Sequence, residues 1–98
     1  MVRSRRDEFQ ICMEILEVLS LSSAPLPITM ILRKVGIKHI KAKQVLESMI
    51  QTEWIMTAFS NSNDDRFGDL FSLTKKGREI LGIYQERIRE IFLQLGKG

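Results

Sequence analysis

Apolar positions along this chain change rhythm several times, and each rhythm predicts an element. From Arg5 to about Leu21, the residues Phe9, Cys12, Ile15, Leu16 and Leu19 fall three, three, one and three positions apart, the spacing of an amphipathic helix. Ser4 and Asp7 precede it in capping-box spacing, with aspartate in the place of the preferred glutamate. The stretch Ser22-Ser23-Ala24-Pro25-Leu26-Pro27 then reads as a loop, because prolines and serines stop a helix. Pro27 suits the first position of a second helix. That helix is expected over about Pro27–Val35, burying Ile28, Ile31, Leu32 and Val35 and ending at Gly36. A third helix is expected from about Lys38 to Thr52. The run from Trp54 to Phe59 is rich in β formers, the polar run from Ser60 to Gly68 reads as a turn, and Asp69–Leu73 reads as a second strand of a hairpin. Thr74 is placed to cap a last helix, since its hydroxyl accepts from an orphan N–H of the first turn.

Length and composition narrow the class. A chain of 98 residues is one domain, expected here to span 1–98, and its 44% hydrophobic and 28% charged content is ordinary for a globular protein. No apolar run approaches the roughly 18–20 residues that span a bilayer. The basic start Met1-Val2-Arg3-Ser4-Arg5-Arg6 is followed by Asp7 and Glu8 rather than a signal-peptide core. No membrane partner is expected, and the location is expected to be cytoplasmic. Cys12 is the only cysteine, which excludes an internal disulfide and a cysteine-based zinc site, and its helical spacing marks it as a small core residue rather than a reactive thiol. With one histidine and one cysteine far apart, no glycine-rich phosphate loop and no metal-ligand spacing, no enzyme, cofactor or metal centre is expected.

The net charge of +3 says less than its distribution. Arg33, Lys34, Lys38, Lys41 and Lys43 fall within eleven residues that contain no acidic side chain, and Arg3, Arg5, Arg6 and Lys75, Lys76, Arg78 form two further clusters. Such clustering is the footprint of a polyanion binder. The nucleic-acid reading leans on Arg33 through Lys43 lining up as a single cationic ridge. The competing reading is a set of solvated faces.

Two helices joined by a glycine turn, followed by a hairpin and a capped helix, give the order α-α-α-β-β-α. The matching residues are Thr29-Met30-Ile31, Val45-Leu46-Glu47-Ser48-Met49, Trp54-Ile55, and above all Leu70-Phe71-Ser72-Leu73-Thr74-Lys75-Lys76-Gly77. On these the chain resembles the winged helix-turn-helix superfamily over nearly its whole length. More narrowly it is similar to small archaeal one-domain members that include dimeric chromatin proteins and short transcription regulators. The resemblance implies a mainly α fold with a small β-hairpin as the wing and an extended C-terminal helix. Two departures stand out. Many relatives have glycine where this chain has Glu53, so the turn into the first strand is expected to be built differently. The wing carries Asp64 and Asp65 against Arg66, a poor phosphate grip, although Arg66 can enter a minor groove.

The resemblance puts the third helix in the major groove of double-stranded DNA. With Ala42, Val45, Leu46 and Met49 inward, Ile40, Gln44, Glu47 and Gln51 lie opposite, flanked by Lys41 and Lys43. The expected DNA-contacting set is Arg33, Lys34, Lys38, His39, Ile40, Lys41, Lys43, Gln44 and Arg66. Lysines suit phosphates or guanine edges, Gln44 suits an adenine edge, and Ile40 suits a thymine methyl. For Ile40 the rival reading is packing on the second helix, and for His39 a solvated helix start. Glu47 is expected to repel phosphate and limit insertion to the first two turns. About six cationic contacts per subunit give an expected log–log salt slope near −5.

In the last helix, Leu81, Tyr84, Ile88, Ile91 and Leu95 step by three, four, three and four, a heptad seam that Phe92 widens. Residues 74–95 are therefore expected to form a coiled-coil-like homodimer contact, against the rival reading that this helix packs back on the first. The function expected overall is a dimeric DNA-binding transcription regulator or nucleoid-associated chromatin protein. The alternative is a winged-helix protein–protein interaction module within a transcription or repair assembly. A small-molecule sensor is a third option that fold analogy leaves open.

Overall fold

A computed structural model describes residues 7–61 and 66–97. The element order is α1 (Glu8–Leu21), β1 (Leu26–Pro27), α2 (Ile28–Val35), α3 (His39–Gln51), β2 (Ile55–Phe59), β3 (Leu70–Leu73) and α4 (Lys75–Lys97). One side of the core is helical. Ile11, Ile15, Leu16 and Leu19 of α1 meet Ile28, Ile31 and Val35 of α2 and Ala42, Val45, Leu46 and Met49 of α3. The sheet closes the other side with Ile55 and Phe71, and Leu81 of α4 completes the cluster. Each of these helices turns its apolar stripe to the same cluster, as the sequence periodicity predicts. Leu32 is half-buried rather than buried. No helix among the described residues is long and apolar enough to cross a membrane.

The helix ends follow local chemistry. Asp7 is itself the cap of α1, accepting the Gln10 N–H at 2.9 Å. The helix thus starts after Asp7, while Ser4 and Arg5 lie outside the described residues. Gly36 ends α2 in the left-handed conformation at φ 81°, and the Ile37 N–H reaches back to the Leu32 carbonyl at 3.1 Å. This is the C-terminal turn that glycine permits.

The end of α3 repeats that turn without glycine. Glu53 takes φ 65°, its N–H bonds the Ile50 carbonyl at 3.0 Å, and the Trp54 N–H bonds the Met49 carbonyl at 2.9 Å. These are the paired bonds of a Schellman turn. The expectation of a differently built turn is therefore corrected: glutamate adopts the conformation glycine would, at a steric cost of about 1 kcal/mol. Trp54, half-buried against the core, anchors the turn.

The sheet has one strand more than the hairpin. Its order is β1-β3-β2, all antiparallel, with Leu26 opposite Phe71 and Pro27 opposite Leu70. The segment read as loop thus contributes a two-residue strand, tolerated at an edge because Pro27 has no N–H to leave unpaired. Between β2 and β3, Ile55 faces Leu73 and Thr57 faces Phe71, but Phe59 faces Leu70, so Ala58 bulges out.

The Leu73-Thr74-Lys75-Lys76-Gly77 block is where β3 passes into α4. The Thr74 hydroxyl donates toward the Trp54 and Glu53 carbonyls, at 2.9 and 2.5 Å, and accepts the Gly77 N–H at 3.0 Å. One side chain therefore caps α4 and ties it to the end of α3. Gly77 is required by closeness: a Cβ there would collide with the Trp54 carbonyl oxygen.

Candidate nucleic-acid interface

Of the residues on α3, Ala42, Val45, Leu46 and Met49 vanish into the core. Ile40 is 72% exposed, so the reading that it packs on α2 is set aside. Gln44 is exposed on the same side, and Lys38, which caps α3 with its backbone, is exposed at the N-terminal end. His39, Ile40, Lys43, Gln44 and Glu47 line one shallow apolar depression.

The two flanks of α3 differ. On one, Lys41 reaches Glu8 in the first turn of α1 at 3.6 Å. Both side chains are substantially exposed, so the pair contributes well under about 1 kcal/mol. On the other, His39, Lys43 and Glu47 are spaced one turn apart and face the base of the hairpin loop. The His39 ring stacks on Phe67, with centroids 4.5 Å apart and planes 18° from parallel. Two turns on, Glu47 accepts from Arg66 through both carboxylate oxygens, at 3.2 and 3.4 Å.

Arg66 also donates to Asp69 at 3.1 Å. Asp69 is 1% exposed and takes the Asn61 N–H at 2.6 Å on its other oxygen. That backbone bond is the main cause holding the Asp69 carboxyl below its ordinary pKa, against the opposing effect of burial, with Arg66 adding to it. The Arg66 guanidinium is in turn pushed above its ordinary value, first by Glu47 and then by Asp69. The backbone of Arg66 sits at φ 67°, a left-handed conformation that a non-glycine residue holds at some cost. Asp64 and Asp65 lie outside the described residues.

This geometry revises three expectations. Arg66 is engaged by two carboxylates rather than poised for a groove. Glu47 is paired with it rather than standing alone against phosphate. The stretch from Arg33 to Lys43 does not form one ridge. Lys34 lines a depression with Val18, Leu21, Ser22 and Leu26, at the far end of α1, whereas Lys41 pairs with Glu8 at its start. Those two ends of a 14-residue helix are about 20 Å apart. Arg33 is exposed, and as a cation in the last turn of α2 it also complements the helix dipole. What α3 does bring together at its exposed end is Lys38, His39, Ile40, Lys43 and Gln44. Phe67 and Asp69 were not singled out by sequence reasoning. The Arg66–Asp69 spacing was a faint signal for one, and nothing marked the other.

Residues 5–92 match a family model described as winged helix-turn-helix. The chain belongs to the winged helix-turn-helix family. The α4-capped, three-stranded wing and the helix pair α2–α3 are that fold. Solved structures of the same fold include Staphylococcus aureus MarR in complex with salicylate and kanamycin, at TM-score 0.73 and 21% identity over 86% of this chain and 54% of that one. A G34K mutant of Staphylococcus aureus MepR gives TM-score 0.76 and 15% identity, over 89% of this chain and 63% of that one. A Listeria innocua protein of unknown function gives 0.72 and 17%, over 90% and 58%. The winged-helix chain thus spans between half and two thirds of the length of these structures. No curated protein matches it by sequence.

The seam expected on α4 divides in two. Leu81 is 4% exposed and belongs to the core, and Tyr84 is half-buried, meeting Phe9 of α1 edge-on at 5.6 Å. For these two, packing back on α1 is what the winged-helix domain does. Beyond them Ile88, Ile91, Phe92 and Leu95 stand exposed, with Ile83 and Leu93 beside them. Cys12 is buried, and desolvation, with Glu8 adding, pushes its thiol above the ordinary pKa, as suits a core residue. Among the described residues no histidine, cysteine or carboxylate cluster is arranged to hold a metal ion.

Proposed function

We propose that this winged-helix protein is a DNA-binding transcription regulator that acts as a homodimer, with the N-terminal half of α3 in the major groove. The observation that carries the reading is the exposed start of α3. A helix that buries four side chains completely leaves Ile40 standing out, beside Lys38, Lys43 and Gln44. A donor–acceptor amide, an apolar tip and flanking ammonium groups are the side-chain types that read base edges and grip phosphates. Glu47, the one carboxylate of that stripe, is taken up by Arg66.

The dimer rests on Ile88, Ile91, Phe92 and Leu95, apolar side chains at heptad spacing with no core of their own chain to enter. A twofold contact there places two α3 helices on one side of the pair. The likeness to MarR and MepR structures supports a regulator role, and the narrower archaeal chromatin role belongs to the same proposal.

Phosphate grip falls to about four or five cations per subunit once Arg66 is set aside, for an expected slope near −4 per subunit. The test is duplex binding at two salt concentrations by the wild type and by K38A/K43A. Loss of binding in the double variant and a steep salt dependence support the reading. Salt-independent binding, or none at 50 mM salt, overturns it. Capture of a protein partner without duplex affinity would favour the interaction-module alternative.

A further inference from the structure

We infer that Arg66 is a positioning residue, a latch that fixes the wing to α3 and offsets the Glu47 charge, and that it does not itself touch DNA. The inference rests on the duplex-binding reading and adds how the binding face is kept competent. Three observations converge on it. Both ends of the His39–Lys43–Glu47 stripe are held by consecutive wing residues, His39 by the Phe67 ring and Glu47 by the Arg66 guanidinium. The third arm of the latch is Asp69, buried at 1% exposure, with its remaining oxygen fixed by the Asn61 N–H across the loop base. And Arg66 holds a left-handed backbone, which the ring of partners around its side chain keeps in place.

The guanidinium uses Nε, Nη1 and Nη2 within the protein, at 3.2, 3.1 and 3.4 Å. To grip a phosphate it would leave a buried carboxylate without its cation, which is costly in a water-poor site. Kept in place, it offsets one of the two carboxylates it binds, so the Arg66–Glu47–Asp69 group carries a net −1 rather than −2. One released carboxylate within a Debye length of the duplex phosphates would lower affinity by roughly fivefold.

The test is a cycle of R66Q, E47Q and R66Q/E47Q, read by duplex affinity and salt slope. As a latch, R66Q loses about fivefold, E47Q binds at least as well as wild type, and E47Q restores most of the loss in the double variant. The double variant keeps the wild-type slope, because one cation and one carboxylate are removed together and the net charge of the group is unchanged. If Arg66 instead contacts phosphate, R66Q costs the same factor in either background and the slope falls by about one. That result overturns the inference. Thermal melting of the same four proteins without DNA separates the latch from the duplex reading. Non-additive losses between positions 47 and 66 support the latch even if the wild type binds no duplex, an outcome that would sink the DNA role alone. Additive losses overturn it.

Discussion

The division of α4 makes a paired prediction. Ile91 is 48% exposed and Leu81 4%, although both fall on the same heptad seam of the sequence. Complete burial of an isoleucine stabilises by about 1.5–3 kcal/mol, and roughly half of that remains available at Ile91 for a second subunit. A twofold contact counts each substitution twice. I91E should therefore cost the dimer about 2 kcal/mol from lost apolar burial, roughly a 30-fold rise in Kd, before any penalty for burying the new charge. The isolated domain should be within about 0.5 kcal/mol of wild type, since Ile91 adds nothing to the core. L81A should do the reverse. It opens a cavity in the core cluster at about 2–5 kcal/mol, lowering Tm by on the order of 10 °C in a domain of this size. Sedimentation across a concentration series reads association, and thermal melting under monomeric conditions reads the fold. The reasoning fails if I91E and wild type associate alike. It also fails if the wild type stays monomeric to about 100 μM, where even a micromolar contact is nearly saturated.

Two other substitutions probe the joints of the fold. G77A should destabilise by about 1–2 kcal/mol despite the better helix propensity of alanine, because its Cβ would meet a Trp54 carbonyl already held by Thr74; urea midpoints no lower than wild type would contradict this. D69N should flatten the acid limb of the stability curve. The folded-state pKa of Asp69 is depressed, so its contribution is present above its unfolded value near 4 and is lost as pH falls through the lower folded value. Unfolding free energies of wild type and D69N should therefore differ most near neutral pH and converge as pH falls below about 4, and parallel profiles would refute the assignment.

Much of the fold was legible in the sequence because it rests on periodicity and on turn chemistry acting over a few residues. Ile28, Ile31 and Val35 follow helical spacing, Gly36 closes α2, and Thr74 caps α4. The failures had physical causes as well. The strand Leu26–Pro27 was hidden by its prolines and by having only two residues, since it exists through pairing with Leu70 and Phe71 some 44 positions away. Glu53 was misjudged because a preference for glycine was treated as a requirement. The Trp54 anchor and the Thr74 hydroxyl bond to the Glu53 carbonyl hold the left-handed turn from both sides.

The candidate site was legible in its residue types and not in its pairings. Helical phase alone sets Lys41 and Lys43 on opposite flanks of α3. It cannot say that the flank of Lys41 meets Glu8 or that the flank of Glu47 meets the wing. Charge counted along the chain therefore overstated the cationic surface at Arg66 and overstated the acidic obstacle at Glu47. These errors partly cancel. Removing Arg66 from the grip also removes Glu47 from the repulsion, so the exposed start of α3 keeps its positive character with fewer cations than the sequence supplies. A face whose charge depends on an internal pair responds to substitutions in couples rather than singly, which is why the 47–66 cycle is more informative than an alanine scan of lysines.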